Sequence, residues 1–140
     1  MSDVMNDGRA GKNPKGLTIA GWVLTILPGG FLLFSAAMKF VLYAKRPEDF
    51  LQGMEHIGWT ADKTVPLGMV EAVCTVLYLV PRTAVLGAIL LTGYMGGAIA
   101  THVRVNDAVV VQVLIGVVLW LGLFLRDARL RALLPVMRRA

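Results

Sequence analysis

Four polar side chains interrupt otherwise apolar stretches of the sequence, and their chemical types could support binding or proton transfer. They are Lys39, Glu71, His102 and Gln112. A carboxylate inside a membrane-crossing helix is costly, so it normally faces the protein interior or a wet cavity. Glu71 is therefore interpreted as a proton-handling or ligand-anchoring acid. The alternative is a structural carboxylate that pairs with Lys39 or is protonated because it is buried.

The residues around Glu71 favour an inward direction for its side chain. Gly68, Cys74, Thr75 and Tyr78 stand at i−3, i+3, i+4 and i+7 from it. On a helix these positions share one face with Glu71. That face is small and polar, which is typical of a surface turned toward other helices.

Lys39 and Ser35 are four residues apart, so a helix places them on the same face. The ammonium group of Lys39 has two possible positions. The four-carbon stem could carry the ammonium group to the membrane interface, or the ammonium could pair with Glu71 at similar depth.

The histidines and the single cysteine bear on metal and cofactor chemistry. His102 is expected to be an interfacial histidine, while His56 lies in a loop, so a site of two histidines and Glu71 requires that loop to fold back. One cysteine, Cys74, cannot form an internal disulfide or a zinc-binding cysteine set. We predict no metal and no intrinsically bound haem, flavin or iron–sulfur cluster.

Tyr94 is flanked by small residues. Gly93 and Gly97 form a GxxxG step that Ala100 continues, and such steps let helices pack closely. We expect this surface to pack inside the monomer; a dimer interface is the alternative.

The elements that carry these side chains follow from the composition. The chain has 140 residues, of which 56% are hydrophobic and 16% charged, whereas soluble domains are nearer ~45–50% apolar and ~25% charged. Apolar segments cover residues 17–44, 64–81, 83–103 and 108–125. A bilayer-crossing helix needs about 20 mostly apolar residues. We predict an all-α, four-transmembrane-helix bundle over 17–126, between a disordered cytoplasmic tail (1–16) and a basic cytoplasmic tail (127–140).

The loop 45–63 contains a helix-forming pattern. Pro47, Glu48 and Asp49 suit a helix start, and apolar residues follow at helical spacing before Gly58 ends the pattern. We predict a short amphipathic helix on the outer membrane surface, with a plain solvated loop as the alternative.

The basic residues predict the orientation, because short cytoplasmic loops are enriched in them. One side of the predicted topology carries nine: Arg9, Lys12, Lys15, Arg82, Arg126, Arg129, Arg131, Arg138 and Arg139. The other carries four: Lys45, Arg46, Lys63 and Arg104. Both termini are therefore expected in the cytoplasm, with the four polar residues in the outer third of the bilayer. No basic face with interleaved aromatics suggests nucleic-acid binding.

Several motifs together resemble the DoxX-like family of small bacterial membrane proteins. They are SAAMK at 35–39, GMVE at 68–71, YLVPRT at 78–83, GYMGGAIATH at 93–102 and LRDARLRALLP at 125–135. The resemblance covers residues 31–135. It implies a four-helix bundle in the bacterial inner membrane and carries over Lys39, Glu71 and His102 as the polar set. The family name comes from a subunit of an archaeal thiosulfate:quinone oxidoreductase, and relatives are linked to redox and membrane-assembly roles.

Three functions are compatible with this pattern. The first is an accessory subunit of a membrane redox system that engages quinone, with Glu71, His102, Tyr94 and Met95 around the ring. The second is a non-catalytic assembly or chaperone-type protein, and the third a small-solute transporter. The expected partners are the lipid bilayer and a membrane or peripheral redox protein, and a homo-oligomer stays open. Whether the chain is an enzyme is not decided by the sequence.

Overall fold

The computed structural model describes residues 14–133, and these residues form helices joined by short turns. The elements are α1 (Lys15–Lys45), α2 (Glu48–His56), α3 (Thr64–Leu79), α4 (Ala84–Arg104), α5 (Val110–Arg126) and α6 (Ala128–Leu133), with one 3₁₀ turn at Ala61–Lys63. No strand occurs in this part of the chain, so the all-α prediction is confirmed. The predicted tails, 1–16 and 127–140, lie mostly outside the described residues. Residues 15 and 16, which we assigned to the first tail, belong to α1.

Two of the helices are long and apolar enough to cross a membrane. They are α1, with 31 residues, and α4, with 21. The helix α5 is also apolar but has 17 residues, and α3 has 16. That α3 and α5 also cross the bilayer stays a prediction, as does the membrane-surface position of α2.

Large apolar side chains point outward from all four of these helices. Leu27 on α1 is 67% exposed, Val73 on α3 59%, Ile89 on α4 55% and Val110 on α5 63%. A soluble protein rarely leaves such extensive apolar surface in contact with water. The outer surface is therefore suited to lipid.

The four long helices form a closed ring of contacts. The helix α1 packs against α3 and α5, and α4 packs against the same two helices. Glycines lie where neighbouring helices come closest to each other. A Cβ on Gly122 would lie 2.8 Å from the Leu24 carbonyl oxygen, and one on Gly87 would overlap the Tyr78 backbone. Pro28 has no N–H to donate to that same Leu24 carbonyl four residues earlier, so α5 approaches α1 where the ladder of α1 is interrupted.

Tyr78, a buried residue of α3, forms hydrogen bonds to α1 and α5. Tyr78 has no exposed surface, and its hydroxyl donates to the Leu119 carbonyl oxygen at 2.8 Å. The same hydroxyl lies 3.5 Å from Thr25 Oγ1. Because buried polar groups must be satisfied within the protein, this network fixes the relative positions of α1, α3 and α5.

Candidate functional site

An ion pair lies at the centre of the candidate site. Lys39 Nζ is 2.7 Å from Glu71 Oε2 and donates a second hydrogen bond to Ser35 Oγ at 2.9 Å. Ser35 Oγ itself lies 3.4 Å from Glu71 Oε2. The Glu71 side chain is 2% exposed and that of Lys39 24%. Of the two positions that the sequence leaves open for the ammonium group of Lys39, the structure shows the pair.

Local sequence explains why these groups meet. Ser35 and Lys39 are one turn apart on α1, and Gly68 precedes Glu71 by one turn on α3. A Cβ on Gly68 would lie 3.2 Å from Lys39 Cβ and 3.3 Å from the Ala36 carbonyl oxygen. The absence of a side chain at Gly68 therefore lets α1 and α3 come close enough for the pair to form.

Tyr94 brings a third helix to the same carboxylate. It lies on α4, is partly buried, and its phenol interacts with Glu71. Three of the predicted polar residues, Lys39, Glu71 and Tyr94, are therefore in one cluster. The cluster gives the carboxylate a cationic partner on one helix and a phenolic partner on another.

The cluster borders a cavity of about 630 Å³. Ligand sites typically fall in the range of about 300–1,000 Å³ and are mostly apolar with a few fixed polar groups. All four long helices and the segment with α2 contribute to its wall: Phe31, Leu32, Ser35, Met38, Lys39, Leu42, Phe50, Met54, Ile57, Trp59, Thr64, Leu67, Glu71, Gly93, Tyr94, Met95, Gly97, Ala98, Thr101, His102, Val111, Gln112 and Ile115. The wall is therefore mostly apolar, with the ion pair among its polar groups.

His102 and Gln112 also line this cavity, but they do not join the ion pair. His102 Nδ1 lies 3.2 Å from Asp107 Oδ2, and His56 Nε2 lies 3.2 Å from Asp107 Oδ1. The Gln112 Oε1 atom is buried, with no hydrogen-bond partner in the described part of the chain. The predicted set of polar residues therefore divides into an ion-pair cluster and a separate histidine–aspartate group.

Asp107 is the residue that sequence reasoning missed. Hydrogen bonds from His56 and His102 hold the pKa of its carboxyl below the usual range, so it is ionised at neutral pH. Its position in the turn between two apolar segments is only weak evidence for a role in a site, because most aspartates in such turns are simply solvated. Within residues 14–133 no three His, Cys, Asp or Glu side chains are placed to hold a metal ion. The arrangement of two histidines with Glu71 is not formed, because both histidines face Asp107 instead.

The helix α2 covers the cavity, as Phe50 and Met54 line it together with Ile57 and Trp59 just beyond. The end of this segment is held by Arg104, which donates to the Ile57 carbonyl oxygen at 2.5 Å. The prediction of a helix in this loop is confirmed, and the plain loop is excluded.

The expected role of Gly93, Gly97 and Ala100 in packing inside the monomer is wrong. A Cβ on Gly93 or Gly97 would meet nothing within 4 Å, and all three residues are exposed. The reason is that α4 turns this face toward the cavity mouth and the outside. The close approaches in the ring use Gly21, Gly87 and Gly122 instead.

These features define a helical membrane protein with an apolar, partly open internal cavity and one buried ion pair on its wall. The comparison with protein families agrees, because the model of the DoxX-like family matches residues 23–125. The chain belongs to the DoxX-like family. No curated protein and no solved structure matches the chain.

Proposed function

We propose that this DoxX-like protein is a multi-pass protein of the bacterial inner membrane that binds a quinone in its cavity, as an accessory subunit of a membrane redox system. The observation that carries the proposal is the combination of an apolar cavity of about 630 Å³ with the Lys39–Glu71 pair on its wall. The electron-transfer cofactors would belong to a partner protein.

The chemistry of the wall suits a quinone ring. Phe31, Trp59, Met38 and Met95 offer flat or polarisable contacts. The positive charge of Lys39 is balanced by Glu71 at 2.7 Å, so the pair favours a neutral, polar group over an ion. A quinone carbonyl, which accepts hydrogen bonds and carries no charge, meets that requirement.

The binding test uses the purified protein in detergent and a short-chain benzoquinone, with quenching of tryptophan fluorescence as the readout. Ala98 lines the cavity, so Ala98→Phe fills part of it, and we expect at least about tenfold weaker binding, equivalent to ~1.4 kcal/mol. Val73 is 59% exposed and is not part of the wall. Val73→Phe is therefore the matched control and should bind as the unmodified protein does. Failure of the unmodified protein to bind any quinone would contradict the proposed function.

We also propose that α1, α3, α4 and α5 all cross the bilayer. At ~1.5 Å per residue, the 16 residues of α3 and the 17 of α5 extend about 24–26 Å. The hydrocarbon core is about 30 Å thick. The apolar residues Val80 and Pro81 after α3, and Ala108 and Val109 before α5, extend these segments, and a bilayer can thin around a short span.

The orientation prediction is that both termini are cytoplasmic and the 45–63 segment is outside, which places the ion pair in the outer part of the membrane. Reporter fusions after Ala140 and within residues 52–56 test it. A reporter that requires the cytoplasm should be active at Ala140 and inactive at 52–56. The reverse pattern would place the cavity mouth on the cytoplasmic side.

A non-catalytic assembly role is the second candidate, favoured by the uncovered small-residue face of Gly93, Gly97 and Ala100. That face has room for the helix of a client protein. Purification in mild detergent separates the two functions, since a quinone and a reductase indicate the redox role, whereas a client protein without quinone indicates assembly.

A further inference from the structure

Two polar contacts bound a stretch of the seam between α4 and α5. The contact between these helices is the least extensive of the four in the ring. At one end Trp120 Nε1 donates to Thr92 Oγ1 at 2.8 Å. At the other end His102 Nδ1 meets Asp107 Oδ2 at 3.2 Å, in the turn that joins the helices.

Between these two contacts, residues of both helices line the internal cavity. Gly93 and Gly97 on α4 face the cavity, as do Gln112 and Ile115 on α5. Both glycines are exposed, and a Cβ on either would meet nothing within 4 Å. The open space at the glycines is therefore continuous with the space beside the ion pair.

A second observation concerns the α5 side of the seam. The Gln112 Oε1 atom is buried and has no hydrogen-bond partner in the described residues. A buried polar atom without a partner costs free energy. Gln112 lines the cavity, so a donor group on a bound molecule is a candidate partner for this oxygen.

We propose that this seam is a lateral portal through which an amphiphile with a long apolar tail enters the cavity from the bilayer, its tail remaining over Gly93 and Gly97 once the head group is bound. The inference rests on the proposed function and adds the ligand class, a ring-shaped head group with a prenyl or alkyl chain. Because lipid is as apolar as the seam, the glycines contribute room for the tail and little hydrophobic free energy.

A ligand with a long tail would need such an exit, because a cavity of about 630 Å³ holds a head group and only part of a long chain. The cavity has space for a ring and its substituents beside Lys39 and Glu71, but a chain of several isoprene units extends beyond it. The segment with α2 covers the cavity with Phe50, Met54 and Trp59. A tail that leaves between α4 and α5 stays in the hydrocarbon region, whereas a tail that leaves past α2 would enter the interface with water.

The test compares two probes with the same benzoquinone ring, one without a tail and one with a decyl chain, on the full-length protein. The variant Gly93→Leu/Gly97→Leu narrows the seam, and the open space around both positions allows it to fold. Gly96→Leu is the control, because Gly96 is also open but does not line the cavity. We expect the double variant to weaken binding of the decyl probe about tenfold more than binding of the tail-free probe, and Gly96→Leu to bind both normally.

Each other result has a distinct meaning. Unchanged affinity for the decyl probe in the double variant overturns the portal and leaves the proposed function intact. Equal loss of both probes also overturns it, because the substitutions would then act on the head group. A change from dimer to monomer in the double variant, measured by light scattering, would assign the glycine face to a second copy of the chain. Absence of binding of either probe to the unmodified protein would overturn both proposals.

Discussion

The Lys39→Met variant is expected to lose about 3–5 kcal/mol of unfolding free energy, because it leaves a buried carboxylate without its cation. Glu71 is 2% exposed, so its charge cannot reach solvent. The opposite variant, Glu71→Gln, should cost less, since Lys39 is 24% exposed and its long stem can carry the ammonium toward the interface. The double variant should be closer to the unmodified protein than Lys39→Met is.

Unfolding of the three variants in detergent measures this coupling. Polar couplings between transmembrane helices average only ~0.6 kcal/mol, so the two single variants and the double variant must be compared as a complete cycle. Strictly additive losses would show that the pair contributes no interaction energy. A fully stable Glu71→Gln protein that no longer binds quinone would assign the carboxylate to the ligand.

The second large effect is expected at Gly87. A Cβ there would overlap the backbone of Tyr78 on the neighbouring helix, and backbone cannot move aside as a flexible side chain can. Gly87→Val should therefore force α3 and α4 apart and cost about 3 kcal/mol, at the upper end of typical overpacking penalties. The same separation would disturb the hydrogen bond from Tyr78 to the Leu119 carbonyl oxygen.

Gly97→Ala is the matched control for Gly87, because it lies on the same helix in open space. It should change stability by no more than about 1 kcal/mol, and in the stabilising direction, since alanine favours helix over glycine. Thermal unfolding in detergent compares the two variants. A severe loss at Gly97 with tolerance at Gly87 would mean that α4 packs through the opposite face.

The sequence predicted the helices and offered the ion pair as one of two alternatives, for physical reasons that are local or nearly so. Apolar runs separated by charges indicate helices without knowledge of their packing. Lys39 and Glu71 could be paired because they lie at similar depth in segments that follow one another along the chain. A buried carboxylate and an adjacent lysine have few other ways to be satisfied.

The packing glycines and Asp107 could not be predicted in the same way. The GxxxG step at Gly93 and Gly97 and the single Gly87 are on the same helix, and only the rotation of α4 decides which of them meets a neighbour. That rotation depends on contacts with α3 and α5 that no local pattern contains. Asp107 likewise gains its role only when the loop containing His56 returns to the turn after α4.

Because α2 covers the cavity, the affinity of the cavity for a ligand depends on how well ordered α2 is. Arg46 and Gly58, on either side of it, have left-handed backbone conformations, with φ of 46° and 73°, and none of its residues is buried. The segment is held mainly by polar contacts at its end, from Arg104 to Ile57 and between His56 and Asp107, and the lack of buried residues makes its local stability low. A molecule that fills the cavity beneath Phe50 and Met54 supplies the missing contacts, so part of its binding free energy is spent on ordering this segment. A partner that holds α2 in place from outside would raise the affinity of the cavity for its ligand. By thermodynamic linkage, the ligand would raise the affinity for that partner by the same factor.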